Sequence, residues 1–310
     1  MRRNMKKIAN GIYPTMVTPF RDGEIDDNAV KQLVEYYISN GCQGVFAVCQ
    51  SSEMAHLSLK ERVGLAKSVV DAVDGRISVV ASGHISDSIA AQAEEINAIW
   101  DAGVDVVTLV TNRLDINNEG DDKWLKNMDK LLKMIPDDIA IGLYECPNPY
   151  KRLLSDRLLD WCISSGRISF IKDTCCCPDI IEQRLTKAKG SDLMFFNANG
   201  QTLLHSLRHG AVGYTGIMAN FCPELLCWLY ENFDKHPDTA EIVSDAFSMM
   251  ASTENCYYPM TAKYALQLAG VDITLETRSV ISKDLPEYQR LVVRQIRQLA
   301  QYITDKINTL

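Results

Sequence analysis

Short apolar segments rich in β-branched residues alternate eight times with helical patterns along this chain of 310 residues. We place the predicted strands, in order, at Gly11–Thr18, Gly44–Cys49, Ile77–Ala81, Asp105–Val110, Ile139–Tyr144, Ile168–Lys172, Leu193–Asn197 and Ala211–Gly216. Strands that alternate with helices favour a parallel sheet, and eight such units favour its closure. The predicted fold is α/β, a (β/α)8 TIM barrel.

The main alternative is an open, doubly wound sheet. No Gly-rich dinucleotide turn follows any predicted strand, which weakens that alternative. Beyond the barrel region, residues 1–236, the chain lacks strand-like segments, so we predict a helical extension over residues 237–310 that packs on the barrel as one structural unit. Its predicted helices are Thr239–Ser252, Pro259–Ala269 and Leu285–Thr309.

Several helices carry start and stop signals. Ser58 and Glu61 are spaced as a capping box, in which each residue's side chain accepts from the backbone N–H of the other. Asp26 and Ser155 precede helical patterns as expected of N-caps, and Gly166 follows the second of these patterns.

Composition limits the partners. The formal net charge is −8 and the pI is about 5.2, which argues against nucleic acid or an anionic membrane as a partner. No apolar run of signal-peptide length follows the basic start, and nowhere do about 18 apolar residues run together. With ten cysteines and no secretory context, we expect reduced thiols and a cytoplasmic location.

In a barrel of this type, chemistry belongs at the carboxyl ends of the strands. Lys172 ends the apolar segment Ile168–Lys172, and Tyr144 ends the preceding strand. Burial lowers the pKa of a lysine and leaves a neutral amine that can attack a carbonyl carbon. A nearby phenol can move the protons that this reaction requires. The alternative is a lysine that reaches solvent and forms a salt bridge with a carboxylate.

Five motifs, in this order and spacing, resemble the dihydrodipicolinate synthase / N-acetylneuraminate lyase family of class I, pyruvate-dependent aldolases. They are Pro14–Phe20 with Asp26, Cys49–Glu53 with Leu57–Glu61, Leu143–Pro147, Phe170–Thr174 and Gly210–Gly213, and they are followed by Pro259, Lys263, Gly270 and Arg278 in the helical extension. The resemblance covers most of the chain.

The resemblance implies roles for individual residues. Lys172 would form an imine with a 2-oxo acid, and Tyr144 would be the acid/base. Gln50 and Ser51 would bind the pyruvyl carboxylate through backbone N–H groups and a hydroxyl. The other residues predicted to bind substrate are Ser52, Ala198, Thr215 and Arg113.

Departures from the family pattern bear on the substrate. Family members of the lysine pathway have an arginine where this chain has Pro149. They also have a tyrosine in the stretch that corresponds to Thr111–Asp115, and this chain has no tyrosine there. Sialic acid lyases carry an acidic pair where this chain has Ala198–Gly200. Cys49 and Ser52 replace two glycines of the family loop, so its backbone path is open to change.

Charged residues near these strand ends suggest what replaces the missing groups. Arg113 follows the fourth predicted strand, and Lys151 and Arg152 follow the fifth. We hypothesise that one of them holds a second anionic or hydroxyl-rich part of the substrate; the alternative is that they pair with Asp115 or Glu145. Glu145 itself is either a second acid/base or a residue that orients a loop.

We predict no metal and no cofactor. Cys175–Cys177 lack the two-residue spacing of zinc knuckles, and Cys49 is expected to pack as a small apolar side chain. His205 and His209 lack the glutamate of a His-Glu-x-x-His motif, so they are expected to be helix-surface or core residues.

The predicted function is a Schiff-base lyase that acts on pyruvate or a 2-oxo-3-deoxy sugar acid, with an aldehyde as the other partner. The alternatives are a dehydratase that uses the same imine, a condensation like that of dihydrodipicolinate synthase, a non-catalytic sensor of 2-oxo acids, and a metal-dependent aldolase. The resemblance also implies a homotetramer or homodimer.

Overall fold

The computed structural model describes residues 8–279 and 284–309. Its strands are β1 (Gly11–Ile12), β2 (Phe20–Arg21), β3 (Glu24–Ile25), β4 (Gly44–Phe46), β5 (Ser78–Ala81), β6 (Val106–Val110), β7 (Ile141–Tyr144), β8 (Ile168–Asp173), β9 (Met194–Asn197) and β10 (Gly213–Tyr214). Eight of them pair in parallel in the order β1-β10-β9-β8-β7-β6-β5-β4, and a parallel bridge between Thr15 and Phe46 joins the two ends. The predicted (β/α)8 barrel is confirmed, and the open doubly wound sheet is wrong.

Helices connect the strands and form the C-terminal part. They are α1 (Asp27–Ser39), α2 (Leu59–Val73), α3 (Ile89–Asp101), α4 (Asp121–Leu132), α5 (Asp156–Ser165), α6 (Pro178–Ala188), α7 (Leu203–Arg208), α8 (Pro223–Asn232), α9 (Pro237–Ala251), α10 (Met260–Leu268) and α11 (Glu287–Ile307). The last three lie within a few residues of the helices predicted for the extension. Helix α9 packs on α7 and α8, and α11 packs on α8, α9 and α10, so the extension is in contact with the barrel.

The helix caps form as the side-chain chemistry predicts. Ser58 and Glu61 make the reciprocal bonds of a capping box at α2. The Asp26 carboxylate accepts from two backbone N–H groups of α1, and the Ser155 hydroxyl accepts from one of α5. Gly166 ends α5 with a left-handed φ of 61°, a conformation that costs glycine little.

The first predicted strand is too long. Only Gly11 and Ile12 join the ladder with β10, and Pro14 has no N–H to extend it. The chain then forms the hairpin of β2 and β3, which we did not predict. Its Asp22-Gly23 turn has positive φ at both residues, and this dipeptide is a recognised hairpin signal in sequences.

The barrel interior is filled by side chains. The rings of Phe170 and Phe196 stack with centroids 4.7 Å apart, and Phe46 contacts Phe170 edge-on. This packing closes the barrel below the carboxyl ends of the strands and leaves space above them. Over the described ranges, no helix combines the length and the apolar character needed to cross a lipid bilayer.

Candidate active site

A cavity of about 390 Å³ opens at the carboxyl ends of the strands. Its wall includes Lys172 from β8 and Tyr144 from β7, which lie directly opposite each other in the strand register. The volume lies in the range of sites that hold small molecules. The fold therefore brings the two residues predicted to be catalytic to one site.

Lys172 is buried and lies among aromatic rings. Its side chain is 5% exposed, and its Nζ lies 4.4 Å from the centroid of the Tyr144 ring and 5.1 Å from that of Phe46. Among the described residues, no carboxylate oxygen lies within 4.0 Å of the Lys172 Nζ, which is the limit for a salt bridge. Burial lowers the pKa of Lys172 below its ordinary value. The alternative of a solvent-exposed, salt-bridged lysine is wrong.

Tyr144 is a phenol in a dry environment. It is 3% exposed, and burial raises its pKa well above the ordinary value for tyrosine. Its hydroxyl therefore keeps its proton near neutral pH and can donate it to a bound substrate.

The loop after β4 offers donors to the cavity. Gln50 and Ser51 line the wall, and among the described residues we find no protein acceptor for their backbone N–H groups. The Ser52 hydroxyl accepts from the Cys49 N–H and donates to the Ala47 carbonyl, both at 2.7 Å. The Ser52 side chain thus bonds across the loop, at a position where the family has a glycine. The backbone N–H groups of Gln50 and Ser51 are left to bind an anion.

Glu53 fixes the end of this loop. Its φ of 59° is left-handed, which is uncommon for a residue with a side chain. Its carboxylate accepts from Thr277 and Ser279 and lies 3.4 Å from the Lys263 ammonium. Burial alone would raise the pKa of Glu53, but Lys263 and these donors lower it below the ordinary value. Nothing in the local sequence pattern pointed to this role.

The other predicted substrate-binding residues divide into two groups. Ala198 and Arg113 line the cavity. Ser52 and Thr215 are fully buried and are not part of its wall. For these two, substrate binding stays a prediction: the Ser52 hydroxyl bonds within its loop, and the residue after Thr215, Gly216, lines the cavity.

The three cations predicted near the site have different positions. Arg113 lies on the wall and pairs with the exposed Asp87 at 2.9 Å, and Lys151 also lies on the wall. Arg152 is 7% exposed, lies outside the wall, and forms ion pairs with Asp115 and with a carboxylate of α4. The hypothesis of a substrate-holding cation is therefore wrong for Arg152 and stays open for Arg113 and Lys151.

Glu145 lies behind the cavity and not on its wall. It is fully buried, pairs with Arg184 at 3.0 Å, and accepts from the backbone N–H groups of Leu154 and Thr174. Burial and the nearby Asp173 raise the pKa of Glu145 to about 7. These contacts support a role in orienting loops and not in acid/base chemistry on a substrate.

The C-terminal part contributes wall residues that sequence reasoning missed. Glu254 and Tyr258 come from the segment between α9 and α10 and line the cavity that contains Lys172. The Glu254 Oε2 atom is buried and has no hydrogen-bond partner among the described residues, whereas the buried Tyr258 hydroxyl lies near the hydroxyls of Ser51 and Thr15. No strand end marks this segment in the sequence, and its place over the barrel depends on helix packing.

The two histidines on α7 lie outside the barrel. The Nε2 atoms of His205 and His209 lie 3.8 and 3.5 Å from one carboxylate oxygen of Glu182, which belongs to α6. The three side chains are each at least one-third exposed. They agree with the expected helix-surface position, and the absence of a metal requirement stays a prediction. All ten cysteines are unpaired, and Cys49 is fully buried.

Comparison with known proteins identifies relatives of the whole chain. A sequence model of the Dihydrodipicolinate synthetase family matches residues 8–299. The 4-hydroxy-tetrahydrodipicolinate synthase of Bradyrhizobium diazoefficiens is 28% identical over 296 residues, which are 92% of this chain and 94% of the relative.

Solved structures share the fold. A Ruminococcus gnavus sialic acid aldolase, a catalytic lysine mutant, superposes with a TM-score of 0.85, 17% identity and coverage of 99% of both chains. An E. coli K12 prophage protein of the dihydrodipicolinic acid synthase family, in complex with pyruvate, gives a TM-score of 0.82 and 20% identity over 95% of this chain and 98% of its own.

Proposed function

The chain belongs to the dihydrodipicolinate synthetase family and is a class I lyase, and we propose that Lys172 is its Schiff-base lysine and Tyr144 its acid/base. The observation that carries this proposal is a buried, unpaired amine with a lowered pKa at the base of a cavity, beside a buried phenol.

The geometry supports each step of imine formation. The neutral Lys172 amine attacks C2 of a 2-oxo acid, and the Tyr144 hydroxyl gives a proton to the departing water. The iminium that results accepts the electrons of a broken C3–C4 bond and becomes an enamine. Burial favours this chemistry because it lowers the pKa of the amine and so increases the fraction that is neutral and able to attack.

The substrate carboxylate is assigned to the loop after β4. Gln50 and Ser51 line the cavity, and their backbone N–H groups have no protein acceptor among the described residues, so they are available to bind an anion. Beyond the imine, Arg113 and Lys151 offer positive charge to a distal hydroxyl-rich or anionic group. We therefore assign a 2-oxo-3-deoxy sugar acid as substrate class, cleaved to pyruvate and an aldehyde.

Borohydride trapping with pyruvate tests the proposal. We expect one pyruvyl adduct on Lys172 in the wild type, none in Lys172→Ala, and slower adduct formation in Tyr144→Phe, because the phenol supplies a proton and not the nucleophile. General acid catalysis is worth about 100- to 10,000-fold, so the Tyr144→Phe effect is large enough to measure. No adduct on the wild type with any of a panel of 2-oxo acids would refute the proposal.

Dehydration through the same imine is the second candidate. A coupled lactate dehydrogenase assay across 2-oxo-3-deoxy sugar acids separates the two reactions, because only C–C cleavage releases pyruvate. A condensation like that of dihydrodipicolinate synthase is less well supported, because Pro149 stands where the relatives' arginine is expected.

We also propose that the protein is a cytoplasmic homotetramer or homodimer. Helix α11 exposes four large apolar side chains on one face, at Tyr288, Leu291, Leu299 and Tyr302. If this face joins two copies, Leu299→Glu lowers the molar mass measured by light scattering, and Lys133→Glu on the distant α4 end does not. An unchanged mass in Leu299→Glu would exclude this face as the interface.

A further inference from the structure

Among the described residues, two carboxylic acids line the cavity, Glu53 and Glu254. They differ in whether their oxygens have hydrogen-bond partners. Glu53 is held by hydrogen bonds from Thr277 and Ser279 and by the Lys263 ammonium. The buried Oε2 atom of Glu254 has no hydrogen-bond partner in the part of the chain that the structure describes. A buried polar atom without a partner costs free energy in the folded state, so such atoms at a cavity wall indicate a position built for a ligand.

The surroundings of Glu254 suit proton transfer. Burial raises the pKa of this carboxyl to about 7, against the opposing charge of Lys172 across the cavity. An acid–base group is most effective when its pKa lies near the working pH. Tyr144 is assigned above to the proton of the departing water, and burial raises its pKa well above the ordinary value, so its hydroxyl enters the reaction as an acid. Lys172 itself is consumed in the imine.

We propose that Glu254 is a catalytic acid–base residue that exchanges protons with C3 and the 4-hydroxyl of the imine formed on Lys172. This inference rests on the function proposed above and assigns part of the reaction to the C-terminal extension. It applies to 4-hydroxy-2-oxo acids as substrates and to pyruvate as product.

The proton balance closes within the site. In cleavage, the Glu254 carboxylate takes the proton of the 4-hydroxyl, the C3–C4 electron pair moves toward the iminium nitrogen, and the aldehyde and an enamine result. The same carboxylic acid then gives its proton to C3 of the enamine, which becomes the pyruvyl iminium. Water hydrolyses this iminium to pyruvate and the free Lys172 amine, and the proton that is released returns to the Tyr144 oxygen, which gave one proton to the departing water when the imine formed, so no further reactant is required.

Pyruvate alone is sufficient for the test, because the last proton transfer is reversible. In D2O, removal of a C3 proton by Glu254 and return of a deuteron exchange the methyl hydrogens of pyruvate, which proton NMR follows. We expect Glu254→Gln to slow this exchange at least about 100-fold. Borohydride trapping of pyruvate on Lys172 should stay within about twofold of the wild type, because the amine and its surroundings are retained.

Glu241→Gln is the matched control. It removes one negative charge from the same helix that leads to Glu254, but its carboxylate pairs with Arg208 outside the cavity. We expect wild-type exchange and wild-type trapping in this variant.

The outcomes distinguish the two proposals. A trapped adduct with unchanged exchange in Glu254→Gln overturns the role of Glu254 and leaves the imine intact. Parallel loss of trapping and exchange also overturns it, because a residue that acts only on C3 does not affect the adduct. No adduct in the wild type refutes the proposed function itself.

The pH profile gives a second readout. Groups in electrostatic contact with Glu254 are Lys172 on β8, Cys176 after it, Tyr214 on β10, Cys222 before α8 and Tyr258 in the same segment. The exchange rate of the wild type should rise with pH through the region of pH 7, as the carboxylate forms, and this step should be absent in Glu254→Gln. A rise that persists in the variant contradicts the assignment.

Discussion

At the residue scale, similar side chains differ in function because of what surrounds them. Arg113 and Arg152 both follow strands at the carboxyl end of the barrel, and both were candidates to hold substrate. In the structure Arg113 faces the cavity with one exposed partner, whereas Arg152 is enclosed by Asp115 and Asp121. Because the Arg152 guanidinium has two carboxylate partners and lies outside the cavity wall, it stabilises loops and does not reach a substrate in the cavity.

This contrast predicts opposite phenotypes. Arg113→Ala should raise KM by about 10- to 100-fold, since a hydrogen bond to a charged group contributes about 1.5–3 kcal/mol. It should change the free energy of unfolding little.

Arg152→Ala should lower the free energy of unfolding by about 3–5 kcal/mol, because it leaves the buried Asp115 unpaired. Steady-state kinetics measure KM, and urea denaturation measures the free energy of unfolding. An unchanged KM in Arg113→Ala would leave Lys151 as the remaining cation that could hold the substrate.

Residue roles were predictable where chemistry and strand position coincide. Tyr144 is the last residue of β7 and Lys172 is the last but one of β8, so the fold alone places them at the cavity. Ser52 was not predictable in the same way, because whether a loop hydroxyl faces the cavity or its own backbone depends on a single turn.

At the element scale, a buried ion cluster joins β7, β8 and α6. Arg184 of α6 pairs with Asp173, the last residue of β8, and with Glu145, which follows β7, and it donates to the Leu154 carbonyl. The cluster joins the carboxyl ends of the two strands that carry Tyr144 and Lys172. It therefore fixes the distance between the phenol of Tyr144 and the amine of Lys172.

Arg184→Ala should destabilise the protein by about 3–5 kcal/mol at pH 8, because two buried carboxylates lose their cation. The loss should be smaller at pH 5. The folded-state pKa of Glu145, about 7, is already raised above that of the unfolded chain, so this group weakens folding as the pH rises toward 7, and without Arg184 the effect grows. Urea denaturation at both pH values measures it.

Arg208→Ala is the control, because this arginine pairs with Glu241 at the surface. It should cost less than about 1 kcal/mol at either pH. Equal destabilisation by the two substitutions, or a loss from Arg184→Ala that does not depend on pH, would contradict the role of the cluster.

At the scale of the whole molecule, the Glu53–Lys263 ion pair links the C-terminal helical extension to the barrel. Lys263 of α10 is fully buried, lies over the ring of Phe20, and also donates to the Glu276 carbonyl. Burial lowers its pKa to about 8, partly offset by Glu53. This pair connects the loop after β4 to α10, and the bond from Lys263 to Glu276 connects both to the segment that follows α10.

Lys263→Met should lower the free energy of unfolding by about 3–5 kcal/mol, since Glu53 then stays buried without its cation. The transition should remain single if residues 237–310 and the barrel unfold together. Lys133→Met is the control, because this lysine is 71% exposed and pairs at the surface. Two separate transitions in the wild type would show that the extension folds independently.

The sequence by itself determined the barrel, most element positions, the helix caps and the place of Lys172 and Tyr144 at the carboxyl ends of two strands. Those features depend on local spacing: apolar periodicity sets the strands, and a strand end sets where its last side chain lies. Only the tertiary structure decided which cations face the cavity, that Glu145 orients loops, and that Glu254 and Tyr258 complete the wall. These features depend on contacts between residues far apart in the chain, such as a segment before α10 that lies over a lysine on β8, and no local pattern encodes them.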